Sequence, residues 1–404
     1  MTIAAGIEKE LRYKAMSAYH TAPGATGAQL LRRVSSNLSL AKQTFGSNEK
    51  VRHQQRVDMR HGMRTVGGNV AGLLSAGTYE DFIAAVLRKA FAETTAISSL
   101  SLTIAAASDD YTITRGTGSW ITDGIKVGDV VRITAGTFDA LNLNKNLVVL
   151  NVTATVLTVH VMNGSAMEAE GPIASATLTV PGKRCWTPLT SHTDVSFGIE
   201  HFYSDNGRSE LFLDCKPVGM SVNLPPNDNA QIAFDFLGSD MTPAAAEYFT
   251  TPTAETETGI VTAVSGLLAV GGAKIALVTG ASLNVSCGTA PAGPVYGQNY
   301  PAAINRGRLE VNGTLTALFQ DATLSDYFDD ETEVELILVA AASNAAAADF
   351  VSFVMSRVKL NSDGKDDPDS SISQSMSFSA LLNGAGGAAS EHEESTLVVQ
   401  DSAA

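Results

Sequence analysis

Residues 308–339 read RLEVNGTLTALFQDATLSDYFDDETEVELILV, a strand, a turn, a helical turn and a second strand in succession. Leu309, Val311, Gly313, Leu315, Ala317 and Phe319 alternate with Arg308, Glu310, Asn312, Thr314 and Thr316. A period of two puts the first set on one face of a half-buried strand, with Leu318 the one break. Asp321 or Thr323 stands where it can cap a helical turn. In that turn Leu324, Tyr327 and Phe328 fall at i, i+3 and i+4 and form one apolar face. A strand over 332–339 follows, with Val334, Leu336 and Leu338 on one side and Glu333 and Glu335 on the other.

The same unit stands 245 positions upstream. Gly68 matches Gly313, Val70 matches Leu315, Gly72 matches Ala317, Thr78 matches Thr323, Asp81 matches Asp326, Phe82 matches Tyr327 and Ile83 matches Phe328. The preceding strands repeat as well: Asn37 matches Asn284, here 247 apart, and strand–turn–strand units recur at 218–237 and 350–382. A repeat of this length implies two equivalent β-modules rather than one large sheet. In the first repeat Thr78 reads as the helix cap, with Asp81 at the capping-box position. Tyr79, Phe82, Ile83, Val86, Leu87, Ala90 and Phe91 then form a stripe that requires a sheet to cover it.

Length and composition agree. A chain of 404 residues suits two or three domains, and 44% hydrophobic residues can fill their cores. Aromatics are only 6%, while Thr, Val and Gly are plentiful, as in a mainly β protein. No segment approaches the roughly 18 consecutive apolar residues of a membrane span, so no membrane partner is expected. Residues 1–14 hold Glu8, Lys9, Glu10 and Arg12 in place of an apolar signal core, so folding in a cytoplasm is expected. Cys185, Cys215 and Cys287 are odd in number and widely spaced, which suits buried thiols rather than disulfides or a zinc site.

Charge is uneven. Residues 1–91 carry 13 Lys+Arg against 6 Asp+Glu, a balance of +7, and the rest carry 14 against 36, or −22. A basic end and an acidic remainder favour self-association in which one subunit's basic surface meets a neighbour's acidic one.

Taken in order, the chain divides into an N-terminal arm (1–29, weakly helical in pattern, awaiting a partner surface) and a first module (30–98 and 184–240). Within the first module lies an inserted small all-β module (99–183), with short strands including Trp120-Ile121. A linker (241–258), a second module (259–384, opening with strands at 260–264 and 275–278) and a flexible acidic tail (385–404) complete it. Residues 30–43 read as one strand, with Val34, Ser36, Leu38 and Leu40 facing one way. Residues 44–63 read as a projecting hairpin. Its Lys50, Arg52, His53, Gln54, Arg56 and Arg60, with Arg64 beyond, are candidates for contact between subunits. The candidate core helix residues are Tyr79, Phe82, Ile83, Val86, Leu87, Leu324, Tyr327 and Phe328. The hairpin lacks the interleaved aromatics of a single-strand binder, and the acidic whole opposes non-specific DNA affinity. His53, Asp58 and His61 are too unspecific a set to imply a metal. No nucleophile elbow, phosphate loop or HExxH zinc motif occurs, and the Gly run at 384–387 lacks the helix and acidic partner of a dinucleotide fingerprint. No enzymatic activity and no cofactor are expected.

The segments 31–91, 232–241 (IAFDFLGSDM), 313–328 and 373–378 (SQSMSF) resemble the major tail tube proteins of long-tailed, non-contractile bacteriophages, in order along nearly the whole chain. The resemblance implies a duplicated tail-tube β-sandwich or barrel domain, each copy with one packed helix. It implies a virion protein, assembled in the host cytoplasm, whose rings stack into a tube with an acidic lumen that conducts DNA without specific binding. Tape-measure, tail-tip and tail-terminator proteins would be its partners. Two domains per chain imply homotrimeric rings of pseudo-sixfold appearance, with a hexamer as the alternative. The inserted module would lie on the outer surface of the tube. A capsid or tail decoration protein, adhesin-like, would share the β-rich composition without needing a basic arm.

Overall fold

A computed structural model describes residues 3–274, 277–368 and 371–404. Among these, strands dominate and two short α-helices occur. No helix among them is long and apolar enough to cross a membrane.

The first repeat opens with β1 (Lys9–Ala15), β2 (Thr26–Leu30), β3 (Ser35–Ser36), β4 (Ser39–Gly46), β5 (Met59–Leu73) and α1 (Glu80–Leu87). After β6 (Ala92–Glu93) come β7 (Ile97–Ala107), β8 (Asp110–Arg115), β9 (Val130–Ala135), β10 (Leu147–Val152), β11 (Val156–Val161) and β12 (Glu170–Thr179), which close into a barrel. Next run β13 (Lys183–Trp186), β14 (Phe197–Tyr203), β15 (Arg208–Leu224), β16 (Gln231–Gly238), β17 (Asp240–Ala244) and β18 (Thr251–Thr253). The second repeat begins with β19 (Thr262–Val270), β20 (Ala273–Lys274), β21 (Val278–Ser286), β22 (Ala290–Pro291), β23 (Ile304–Asn305), β24 (Glu310–Leu318) and α2 (Thr323–Asp329). It ends with β25 (Val334–Ala341), β26 (Phe350–Leu360), β27 (Gly364–Lys365), β28 (Ser373–Ala380) and β29 (Val398–Asp401).

Strand pairing makes the duplication geometric. On β5 and β16 Gly68 stands opposite Phe236 and Val70 opposite Phe234, while on β24 and β28 Gly313 stands opposite Phe378 and Leu315 opposite Met376. β16 pairs on with β15, as β28 does with β26. β14 and β25 take the first halves of those long strands, and β1 and β19 take the next places. β17 lies on β15 as β29 lies on β26. The preceding strands keep the spacing of 245: Ser36 and Ser39 face Val70 and Gly67, and Ala281 and Asn284 face Leu315 and Asn312. Asn284 therefore matches Ser39, and the expected match to Asn37 is two residues off. A two-residue slip keeps every side chain on its own face, so alternation alone cannot detect it.

Eight strands form one continuous sheet in the order β4, β5, β16, β15, β21, β24, β28, β26. Its inner face contributes Val70, Phe234, Met220, Leu283, Leu315 and Phe378 to the main core, where Leu11, Ile199, Leu336 and Phe353 of the opposing strands meet them. Helix α1 fills the space between the two layers in the first repeat. Phe82 lies 5.1 Å from Phe197 on one side and 5.4 and 5.1 Å from Phe234 and Phe236 on the other. Tyr79 crosses directly over Gly72, where any Cβ would collide with its hydroxyl.

The helix boundaries differ from expectation. Thr78 does not cap α1, because its hydroxyl is bonded to those of Ser75 and Thr256, and Asp81 accepts from the Tyr13 hydroxyl at 3.0 Å. The helix ends at Leu87 on a left-handed Arg88, so Ala90 lies exposed outside it. Helix α2 buries no residue fully: Leu324, Tyr327 and Phe328 are half-buried. Asp321 accepts from the Thr323 N–H at 3.0 Å.

The ends of the chain are the largest corrections. The arm is a strand with Leu11 and Tyr13 buried, paired along its length with β14. The expected flexible tail is β29, a buried strand between β26 and β13 that brings residues 183–186 into the second repeat's sheet. Residues 30–43 break into three strands, leaving Val34 exposed and Leu38 buried. The linker folds back, burying Phe249 against Leu211 and Leu213. There Glu200 accepts the N–H groups of Tyr248 (2.5 Å) and Phe249 (3.1 Å). The strand expected at 260–264 runs instead over Thr262–Val270, and Ile275 lies outside the described residues. Trp120 is in a turn and fills the barrel core.

The barrel docks on the second repeat. Ile337, Val339, Phe350 and Val354 point away from the main core into the barrel's core, so β25 is buried on both faces. Asn146 donates to the Ala348 carbonyl at 2.8 Å and Asn163 to that of Ser343 at 2.9 Å. Gly128, at φ +86°, lies against Val354 where a Cβ would clash.

Candidate assembly interface

An unpaired strand edge offers a row of free N–H and C=O groups to another chain. The eight-stranded sheet has two such edges among the described residues. At one end β3 and β4 pair only with β5. At the other, β26 has its last pair with β25 at Val358; past that point it and β27 pair only with β28.

Inside the chain the equivalent positions are joined. β15 has its last pair with β14 at Cys215 and then runs beside β21, with Gly219 opposite Ser286, Met220 opposite Val285, Val222 opposite Leu283 and Leu224 opposite Ala281. This seam welds the two repeats into one sheet. Its core face is apolar, which favours a permanent joint.

The sheet's other face is open. It carries Ser221, Asn223, Ser282, Asn284, Asn312, Thr314, Ser375 and Ser377, none of them buried, and several of its hydroxyls and amides bond to one another. Ser282 pairs with Thr314 at 2.7 Å, and the Ser379 hydroxyl donates to Asn312 at 2.7 Å. Over residues 219–224, 231–238, 278–286, 310–318 and 373–380 the carboxylates are Asp235 and Glu310, and Asp235 accepts from Asn69 at 3.0 Å. Arg357 and Lys359 on the edge strand are paired with Glu333 and Glu331 at 2.7 and 3.4 Å.

The hairpin of β4 and β5 projects beyond the sheet. Thr44 faces His61 and Gly46 faces Met59. At its tip Lys50, Arg52, His53, Gln54, Arg56 and Arg60 are all exposed. Arg60 is paired with Asp58 at 2.8 Å. Arg64 stands apart, held to Asp240 at 3.0 Å at the hairpin's base. Phe45, Val57 and Met59 are more than half exposed there, which gives the hairpin an apolar side among its cations. Phe45 lies across Gly62, where a Cβ would fall 2.4 Å from its ring.

Buried ionisable groups sit behind this interface. His201, whose Nε2 is 2.7 Å from the Ser36 hydroxyl at the free edge, is pushed down to about 3 by burial, with Lys9 and Arg33 adding to it. Burial raises Glu335 to about 7 and lowers the pKa of His392, 3.8 Å away. Burial raises Asp401 to about 6, although it accepts from the Gly77 N–H. All three cysteines are free and buried, and burial pushes the Cys185 thiol up to about 12. Among the described residues no three His, Cys, Asp or Glu side chains gather as metal ligands.

The sequence reading named the hairpin and the helix faces but neither strand edge. The repeat held the signal: a strand paired on both sides in one repeat has a counterpart that must find its second partner elsewhere. A family model described as phage tail tube protein matches residues 6–380. No curated protein matches the chain.

Proposed function

The chain belongs to the phage tail tube protein family, a structural protein of the virion tail, and we propose that it polymerises as stacked rings into the tube through which DNA leaves the particle. The observation that carries this reading is the eight-stranded sheet with an unpaired edge at each end. Head-to-tail closure of such sheets satisfies every edge.

Sheet width supports three chains per ring. Three times eight strands at ~4.8 Å each give a backbone circle ~37 Å across without tilt, and tilt widens it. Inner side chains of ~5 Å leave roughly 27 Å, enough for a duplex, whereas two chains leave roughly 14 Å. The open face lines the lumen in this reading, with the barrel on the far side of the sandwich, outside. The acidity expected of the lumen then reduces to Asp235 and Glu310. DNA slides chiefly because this face is built of neutral hydroxyls and amides, several of them already bonded to one another, and unpaired cations are few. The exposed hairpin reaches the next ring, and tape-measure, tail-tip and terminator proteins set the tube's ends.

Electron microscopy of the concentrated protein, with rotational analysis of end-on views, tests this. Hollow stacked rings with threefold symmetry and six inner lobes are expected. Sixfold rings would retain the tube and overturn the count of chains, and a protein that stays monomeric even with tail-tip initiator present would overturn the tube.

A further inference from the structure

Resting on the tube reading, we infer that the seam between neighbouring chains repeats the internal seam, residue for residue, with β26–β27 of one chain pairing antiparallel to β3–β4 of the next. The internal seam and the two spacings of the duplication fix the register. Ser282, Asn284 and Ser286 on β21 become Asn37, Ser39 and Ala41 through the spacing of 245. Gly219 and Met220 on β15 become Asn361 and Ser362 through a spacing of 142, since Phe234 corresponds to Met376. Beyond them β27 carries one extra residue. Gly364 faces Ser375 and Lys365 faces Gln374, so Gly364 and Lys365 take the places of Ser221 and Val222. Between chains Asn361 therefore stands opposite Ala41, Ser362 opposite Leu40, Gly364 opposite Ser39 and Lys365 opposite Leu38.

Edge chemistry separates the two seams. The internal one closes with Met220 on Val285 and Val222 on Leu283, whereas the intermolecular one offers Ser362 and Lys365 to Leu40 and Leu38. Lys365 is held by Asp363 at 2.7 Å. A charged pair on a free edge discourages indiscriminate strand addition. The joint between chains is thus the weaker one and opens first.

The Asn361–Ala41 pair allows a direct test. The Cys287 N–H donates to the Val218 carbonyl at 2.8 Å, so the adjacent Gly219–Ser286 pair is of the non-hydrogen-bonded kind, and so is its counterpart. Such pairs have Cα atoms ~4.5 Å apart, within disulfide reach. Asn361→Cys with Ala41→Cys in one chain, assembled under reducing conditions and then oxidised, is expected to convert most of the monomer band into covalent multimers ending at the closed ring. Either single variant should leave at least tenfold less product. Asn361→Cys with Ser39→Cys, two residues out of register, is the matched control. Microscopy of the reduced samples establishes that each variant forms tubes. Tubes in which the control pair links as well as the proposed one, or in which neither links, overturn the register and leave the tube standing. Failure of the unmodified protein to form tubes overturns the reading beneath it.

Discussion

The side-chain amide of Gln400 pairs with the backbone of Val130 as a strand would, accepting its N–H at 2.8 Å and donating to its carbonyl at 3.1 Å. The chain's last strand is thereby fastened to the barrel. Gln400 is buried, so Gln400→Ala leaves the Val130 N–H without a partner and should cost about 1–3 kcal/mol. Deleting residues 396–404 also removes buried Leu397 and Val399 and should cost more. Denaturant titration checks both. An unchanged midpoint in the deletion would return these residues to the status of a loose tail.

Phe82 and Phe328 belong to the corresponding helices of the two repeats but differ in burial. Phe82→Ala empties a site touched by four aromatic rings and should cost about 3–5 kcal/mol. Phe328→Ala, half-buried on α2, should cost under about 1.5 kcal/mol. Thermal unfolding of the two variants measures the difference directly, and equal losses would mean that α2 is as deeply seated as α1.

Glu335 gives stability a pH dependence of definite sign. Burial raises its folded pKa from 4.5 to about 7, so the folded state holds the proton more tightly than the unfolded chain does. The contribution is full below pH ~4.5 and lost as pH rises through about 7. At ~1.4 kcal/mol per unit, ionisation costs up to about 3 kcal/mol. Glu335→Gln should therefore stabilise the protein at pH 8 and change little at pH 4.5. Asp401, raised to about 6, adds a loss of the same sign between about pH 4 and 6. Paired denaturation curves at the two pH values decide it; a Glu335→Gln effect independent of pH would locate the ionisation elsewhere.

The hairpin tip should matter to assembly and not to folding. Replacing Lys50, Arg52 and Arg56 together with Ser changes only exposed side chains, so the unfolding free energy should stay within about 0.5 kcal/mol. Tubes should shorten, and the concentration needed for polymerisation should rise severalfold. Sedimentation at rising salt gives the complementary readout, since screening weakens the same contacts. Normal tubes from the triple variant would remove the hairpin from the contact between rings.

Elements whose signal is local can be read from the residues alone. The alternation across β24, the stripe of α1, the short strands of the barrel and the duplication were all legible, because each depends on spacing within a few turns or on one spacing repeated. Tertiary structure alone decided which faces and edges acquire partners. β25 carries Glu333 and Glu335 before it and within it, and so reads as a strand with one wet side. Its far half is covered by a barrel inserted more than 150 residues earlier in the chain. β1 and β29 were invisible as strands, because a short segment with a few apolar residues is settled by the edge it meets, and those edges come from β14, β26 and β13. Burial is a property of two surfaces, and a linear pattern reports only one of them. The same reason hid the assembly edges: Asn361 and Ala41 are unremarkable residues in sequence, and only the fold shows that their counterparts Gly219 and Ser286 already face each other.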